Sequence, residues 1–99
     1  MPKPPEQPKF DELLLSKTRL GIISALIGGD KLEFTFIRDI LNLSDGNLSV
    51  QIRKLEEAGY IKIEKEFVDR KPKTFCTITN RGQKAVHDLI RKLDELARK

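Results

Sequence analysis

The sequence holds little of what covalent or metal chemistry requires. One cysteine, Cys76, and one histidine, His87, stand in 99 residues. A lone thiol closes no internal disulfide, and one Cys with one His cannot complete a metal site. No nucleophile–base pair and no phosphate-cradling glycine loop is visible; "IGGD" reads as the stop of a helix. Catalysis, a cofactor and a metal are therefore not expected. No apolar run approaches the roughly 20 residues of a membrane span. The start, "MPKPPEQPKF", lacks the apolar core of a secretory signal. A cytoplasmic protein is the expectation.

What is present suits one domain with a small core. Hydrophobic residues make up 38% and charged residues 34%, with a net charge of +4. That mild excess permits a nucleic-acid partner without demanding one. Four of the five prolines fall within residues 1–9, which are expected to form a flexible arm ahead of a domain spanning 10–99.

Along that domain the apolar spacing predicts a first helix in "FDELLLSKTRLGIISALIGG", carried by Leu13, Leu20, Ile23, Leu26 and Ile27. Gly28-Gly29 ends it, and a break or a close helix contact is expected near Ser16–Gly21. In "LEFTFIRDILNLS", Thr35 is the expected N-cap of a second helix, and Phe36, Ile37, Ile40 and Leu41 its buried side. Asn42 suits a left-handed terminator. Leu32–Phe34 can be a very short strand.

The third helix, 44–58, is the most sharply written. Ser44 is its N-cap, and Asp45 sits at the positive end of its dipole. Leu43 and Leu48 occupy the two positions of a hydrophobic staple. Leu48, Ile52 and Leu55 form the inward stripe, and Gly59 fits the left-handed position that closes the helix. Only Asn42, Leu43 and Ser44 separate helices two and three, a helix-turn-helix spacing. Ile61 and Ile63, then Thr74, Cys76 and Ile78, alternate as the inner faces of a β-hairpin with the charged tip "VDRKPK". Cys76 is expected to be buried packing and His87 to lie on the surface. "NRGQKAVHDLIRKLDELARK" is a long final helix whose Val86, Leu89, Leu93 and Leu96, with Ile90 beside them, make an apolar seam. The fold expected is mainly α (α+β): a winged helix-turn-helix with a three-helix core, a two-stranded β-wing and a long C-terminal helix.

The outer faces of helix three hold groups able to read base edges. Asn47, Ser49, Gln51 and Arg53 are the candidates, since Asn, Gln and Arg can each engage a base through two bonds. Gly46 leaves the helix N-terminus open to a phosphate. Phosphate contacts are expected from Lys17, Arg19, Lys31, Thr35, Arg38, Ser44, Lys54 and a wing, 69–74, bearing Arg70, Lys71 and Lys73. A polar helix face can equally be a solvated one, and Asp45, Glu64, Glu66 and Asp69 leave room for a protein–protein adaptor instead.

"SKTRLGIISAL" together with "FIRDILNLSDGNLSVQIRKLEEAGYIKIEKEFVDRKPKTFCTITNRG" resembles the short winged-helix transcriptional regulators related to the MarR and ArsR groups. The resemblance spans roughly residues 16–90, and its most specific parts are "LSDGNLSVQIRKLEEAGYI", "DRKPKT" and "TITNRG". It implies a homodimeric, sequence-specific regulator of double-stranded DNA, with the third helix in the major groove and the Arg70 wing on the minor groove or backbone. Repression through a palindromic operator follows as the expected mode. The dimer would use the first and last helices, through Phe10, Leu14, Val86, Leu89, Ile90, Leu93 and Leu96; the last helix can also pack back on its own subunit. Regulators of the MarR group have longer flanking helices that frame effector pockets, and those of the ArsR group sense metals through Cys and His clusters. This chain is short and carries one of each, so no effector is assigned.

Overall fold

A computed structural model describes residues 9–98. Nearly all of the expected proline-rich arm lies outside the described residues. A single 3₁₀ turn, Glu12–Leu15, precedes α1 (Lys17–Leu26); β1 (Leu32–Glu33), α2 (Phe34–Ile40), α3 (Asp45–Glu57), β2 (Ile61–Val68), β3 (Lys71–Ile78) and α4 (Asn80–Ala97) follow. This is a winged helix-turn-helix, mostly helical with a β-wing.

The expected break in the first helix falls at Ser16, which is extended and whose hydroxyl caps α1 by accepting from the Arg19 amide. Gly21 provides the close contact. A Cβ there would stand 3.3 Å from a methyl of Leu41, so glycine lets α1 lie against the end of α2. The α1 stripe is Ile22, Ile23 and Leu26, all fully buried, while Leu20 is turned partly to solvent.

Helix α2 corrects two expectations. Its N-cap is Glu33, without a side-chain cap bond, and Thr35 lies exposed in the first turn. The reason is the sheet. Leu32 pairs with Cys76 and Glu33 with Phe75, which holds the backbone extended up to Phe34. The inward stripe becomes Phe34, Ile37 and Leu41, and Phe36 and Ile40 face outward. The same pairing makes the sheet three-stranded, in the order β1-β3-β2, where a two-stranded hairpin was expected.

Helices α2 and α3 end alike. Asn42 (φ 53°) and Gly59 (φ 79°) are both left-handed. After α2, the Asn42 and Leu43 amides donate to the Asp39 and Arg38 carbonyls; after α3, those of Gly59 and Tyr60 donate to Glu56 and Leu55. Each pair is a Schellman closure that satisfies carbonyls left free at a helix end. Ser44 caps α3 by accepting from the Asn47 amide at 3.1 Å, and Leu48, Ile52 and Leu55 are buried as their spacing predicts.

The hairpin turn is tighter than expected. Val68 pairs with Lys71, so the loop is only Asp69-Arg70, and Pro72 and Lys73 belong to β3. Both loop residues have positive φ, the twist that a two-residue hairpin requires. The junction from β3 to α4 is locked by Thr79. Its hydroxyl donates to the Gly59 carbonyl at 2.6 Å and accepts from the Gly82 amide at 3.0 Å. Gly82 has no room for a side chain: a Cβ would lie 2.2 Å from the Tyr60 carbonyl oxygen.

Candidate nucleic-acid interface

With Leu48, Ile52 and Leu55 inward, 3.6-residue geometry turns Gly46, Val50, Arg53, Lys54 and Glu57 outward. All five are exposed, and nothing lies near the position of a Gly46 Cβ. Ser49 and Arg53 form one flank, beside an open groove completed by Ile63, Lys65 and Thr74 of the wing. Asn47 and Gln51 form the other flank, toward α1.

The expected phosphate residues divide into two kinds. Arg38 is held by Asp39 at 2.9 Å and by Asp45 at 2.7 Å. The hydrogen bond to Asp45, then that to Asp39, lifts its already high pKa further. Lys31 bonds Glu66 at 2.7 Å and lies over the Phe75 ring, 5.0 Å from its centre. Lys73 is near Glu33, at 3.8 Å. Arg19 donates to the Leu13 carbonyl and to Gln51 rather than standing free. By contrast, Lys17, Arg53, Lys54, Arg70 and Lys71 are exposed and make no ion pair among the described residues.

Arg70 is the most informative of these. It occupies a left-handed position (φ 66°) at the tip of the wing. A non-glycine residue there costs about 1–2 kcal/mol, so a long cation is carried where glycine would fold more easily. Phe67, 80% exposed, projects from β2 close to this tip, opposite Pro72 in the register. Spacing gave no reason to single it out, because alternation along the strand puts it on the same side as buried Ile61; the core ends before the strand does. Val50, half exposed, is the other residue that polarity-based reading passed over.

The apolar seam of α4 is narrower than its spacing suggests. Val86 and Leu89 are buried in the chain's own core, as is Leu14, so these three are not free to face a partner directly. Phe10 packs partly on the same core. Ile90, Leu93 and Leu96 remain exposed, the first two at 58% and 51%.

Away from this surface the titratable groups serve the fold. Cys76 is fully buried, and burial pushes its thiol up to about 11. Tyr60 is raised to about 12 by burial and by its hydrogen bond to Asp11. Glu64 is lowered by its bond to Lys62. Among the described residues no group of three or more His, Cys, Asp or Glu could hold a metal ion, and no helix is long and apolar enough to cross a membrane.

Comparison with known proteins points the same way. Residues 18–97 match the family model described as a winged helix DNA-binding domain. An uncharacterised protein of Methanocaldococcus jannaschii is 35% identical over 83 residues, covering 84% of this chain and 90% of that one. The solved transcriptional regulator homologue from Pyrococcus horikoshii is similar with a TM-score of 0.80 at 33% identity, covering 88% and 86% of the two chains. The fold is shared with MarR itself (TM-score 0.72, 17% identity, 85% of this chain and 61% of MarR).

Proposed function

The chain belongs to the winged helix DNA-binding domain family, and on that premise we propose that it is a cytoplasmic, sequence-specific transcriptional regulator. It acts as a homodimer on a palindromic duplex operator, with residues 10–99 as the working domain and residues 1–9 as an arm ahead of it. The observation that carries this reading is the set of cations left without a carboxylate. Arg53 and Lys54 on α3, and Arg70 and Lys71 on the wing, lie open, while Arg19, Lys31, Arg38 and Lys73 are engaged within the chain.

In this reading α3 enters the major groove with its outward face leading. Arg53, Ser49, Asn47 and Gln51 address base edges, and Val50 is placed to meet a thymine methyl. Ser44, Gly46 and Thr35 border the approach of α3 to the backbone. Arg70 and Lys71 cross the phosphates toward the minor groove, and Phe67 packs on its wall. Lys17 adds a phosphate contact. Lys31 and Lys73 contribute only by leaving partly exposed partners, Glu66 and Glu33, an exchange that forfeits about 1 kcal/mol or less each.

The homodimer is supported by the strip Ile90, Leu93 and Leu96, which a second copy of α4 would cover. Repression follows if the bound dimer covers promoter DNA. Selection from a random duplex pool tests the whole reading. It should return two inverted half-sites about 34–36 Å apart. A single unrepeated half-site would remove the dimer, and no enrichment at all would favour a protein–protein adaptor.

A further inference from the structure

One hydrogen bond joins α1 to the reading face of α3, with a second anchoring its donor and a third carrying its polarity along α3. Arg19 Nε donates to the Leu13 carbonyl at 2.7 Å, and Arg19 Nη1 donates to Gln51 Oε1 at 2.8 Å. Gln51 Nε2 then donates to Asn47 Oδ1 at 3.1 Å. The direction of this chain is forced. A guanidinium has donors and no acceptor, so the oxygen end of Gln51 must face Arg19. Its nitrogen end must then face Asn47, and Asn47 must answer with its oxygen. The ambiguity that usually attends amide orientation is removed by the cation at the head of the chain.

We propose that Arg19 is a positioning residue that sets the hydrogen-bond polarity of the α3 reading face, so that Asn47 offers donors and selects guanine over adenine. The proposal rests on the assignment of α3 to the major groove. Asparagine reads adenine by donating to N7 while accepting from the N6 amino group. Here Asn47 Oδ1 already accepts from Gln51 Nε2, which uses one of its two lone pairs and holds the oxygen toward Gln51. The free Nδ2–H₂ group has two hydrogens to give, and guanine presents two acceptors, N7 and O6, on one edge. Arg19 thereby acts on base choice without touching a base. This role also accounts for its anchoring on Leu13, which a phosphate contact would not need.

The test is binding-site selection with the wild type and three variants, with the salt dependence of random-duplex binding measured beside it. Asn47→Ala identifies the base pair at which preference is lost. At that pair the wild type should favour guanine over adenine by about tenfold. Arg19→Lys retains the charge but cannot hold Leu13 and Gln51 together; the preference should relax toward equality with the salt slope unchanged. Gln51→Glu keeps a partner for Arg19 and removes the donor to Asn47. Asn47 then turns its nitrogen to the new carboxylate and its oxygen outward, and the preference should reverse toward a donor edge, adenine or cytosine. Circular dichroism confirms that each variant is folded, and Gln51→Glu decides the matter should Arg19→Lys unfold. An adenine preference in the wild type, or an unchanged motif in Gln51→Glu, overturns the proposal. Wild-type protein that binds no duplex overturns the major-groove assignment itself, and this proposal with it.

Discussion

Arg38 and Arg70 carry the same guanidinium in two regions of one molecule, the last turn of α2 and the tip of the wing. At the end of α2, Arg38 is half-buried and clasped by two carboxylates, one of them on the first residue of α3. At the tip, Arg70 is exposed on a strained backbone and has no carboxylate partner among the described residues. The first charge is spent on holding two helices in register. The second is held out at a conformational cost that no ion pair among the described residues offsets. A net charge of +4 adds both kinds together and distinguishes neither.

The contrast can be sharpened by substitution. The largest effect belongs to the inward-facing part of the molecule. Gly82→Ala puts a methyl against the Tyr60 carbonyl, where neither backbone can yield cheaply. It should lower unfolding free energy by about 3 kcal/mol, at the upper end of overpacking costs, as read from urea midpoints. Arg70→Gly should move in the opposite direction, gaining about 1 kcal/mol of stability from relief of the left-handed strain while weakening duplex binding. If it loses both, the wing needs Arg70 for folding and the contrast is wrong. Arg38→Ala should lower the melting temperature modestly, because Asp39 and Asp45 lose their shared partner.

A smaller effect comes from pH. Tyr60 ionises at about 12 in the fold against an ordinary value of 10.0, and Cys76 at about 11 against 9.0. Between the lower and higher value of each pair the unfolded chain has released a proton that the folded chain retains. Stability is therefore fully present below about pH 9 and falls as pH rises through this window. Urea midpoints at about pH 8 and about pH 10.5 should show the decline, and Cys76→Ala should flatten it. A flat profile in the wild type would mean that neither group is as sheltered as the packing implies.

The fold was largely legible because its signals are local. Ser44, Gly59 and the Leu48–Ile52–Leu55 stripe each act within a few residues, and α3 follows them. The misread parts depend on distant partners. Nothing near Thr35 announces that Leu32 will pair with Cys76 and move the start of α2. Arg19 reads as a free cation until the fold brings Gln51 to it from 32 positions away. Val86 and Leu89 share the spacing of a dimer seam with Leu93, and only packing shows that the core has already taken them, as it has Leu14 of the N-terminal turn. Polarity drew attention to Asn47 and Arg53 but concealed Val50 and Phe67, whose exposure is what marks them.

The salt dependence of binding to random duplex separates the two arginines most directly. With about six phosphates neutralised per dimer, log K against log salt should fall with a slope near −5 for the wild type. Arg70→Ala should flatten that slope by about two units, one contact from each protomer, and Arg38→Ala should leave it where it was. A slope near zero in the wild type, or equal flattening by the two substitutions, would contradict the division between cations that hold the chain together and cations that reach for DNA.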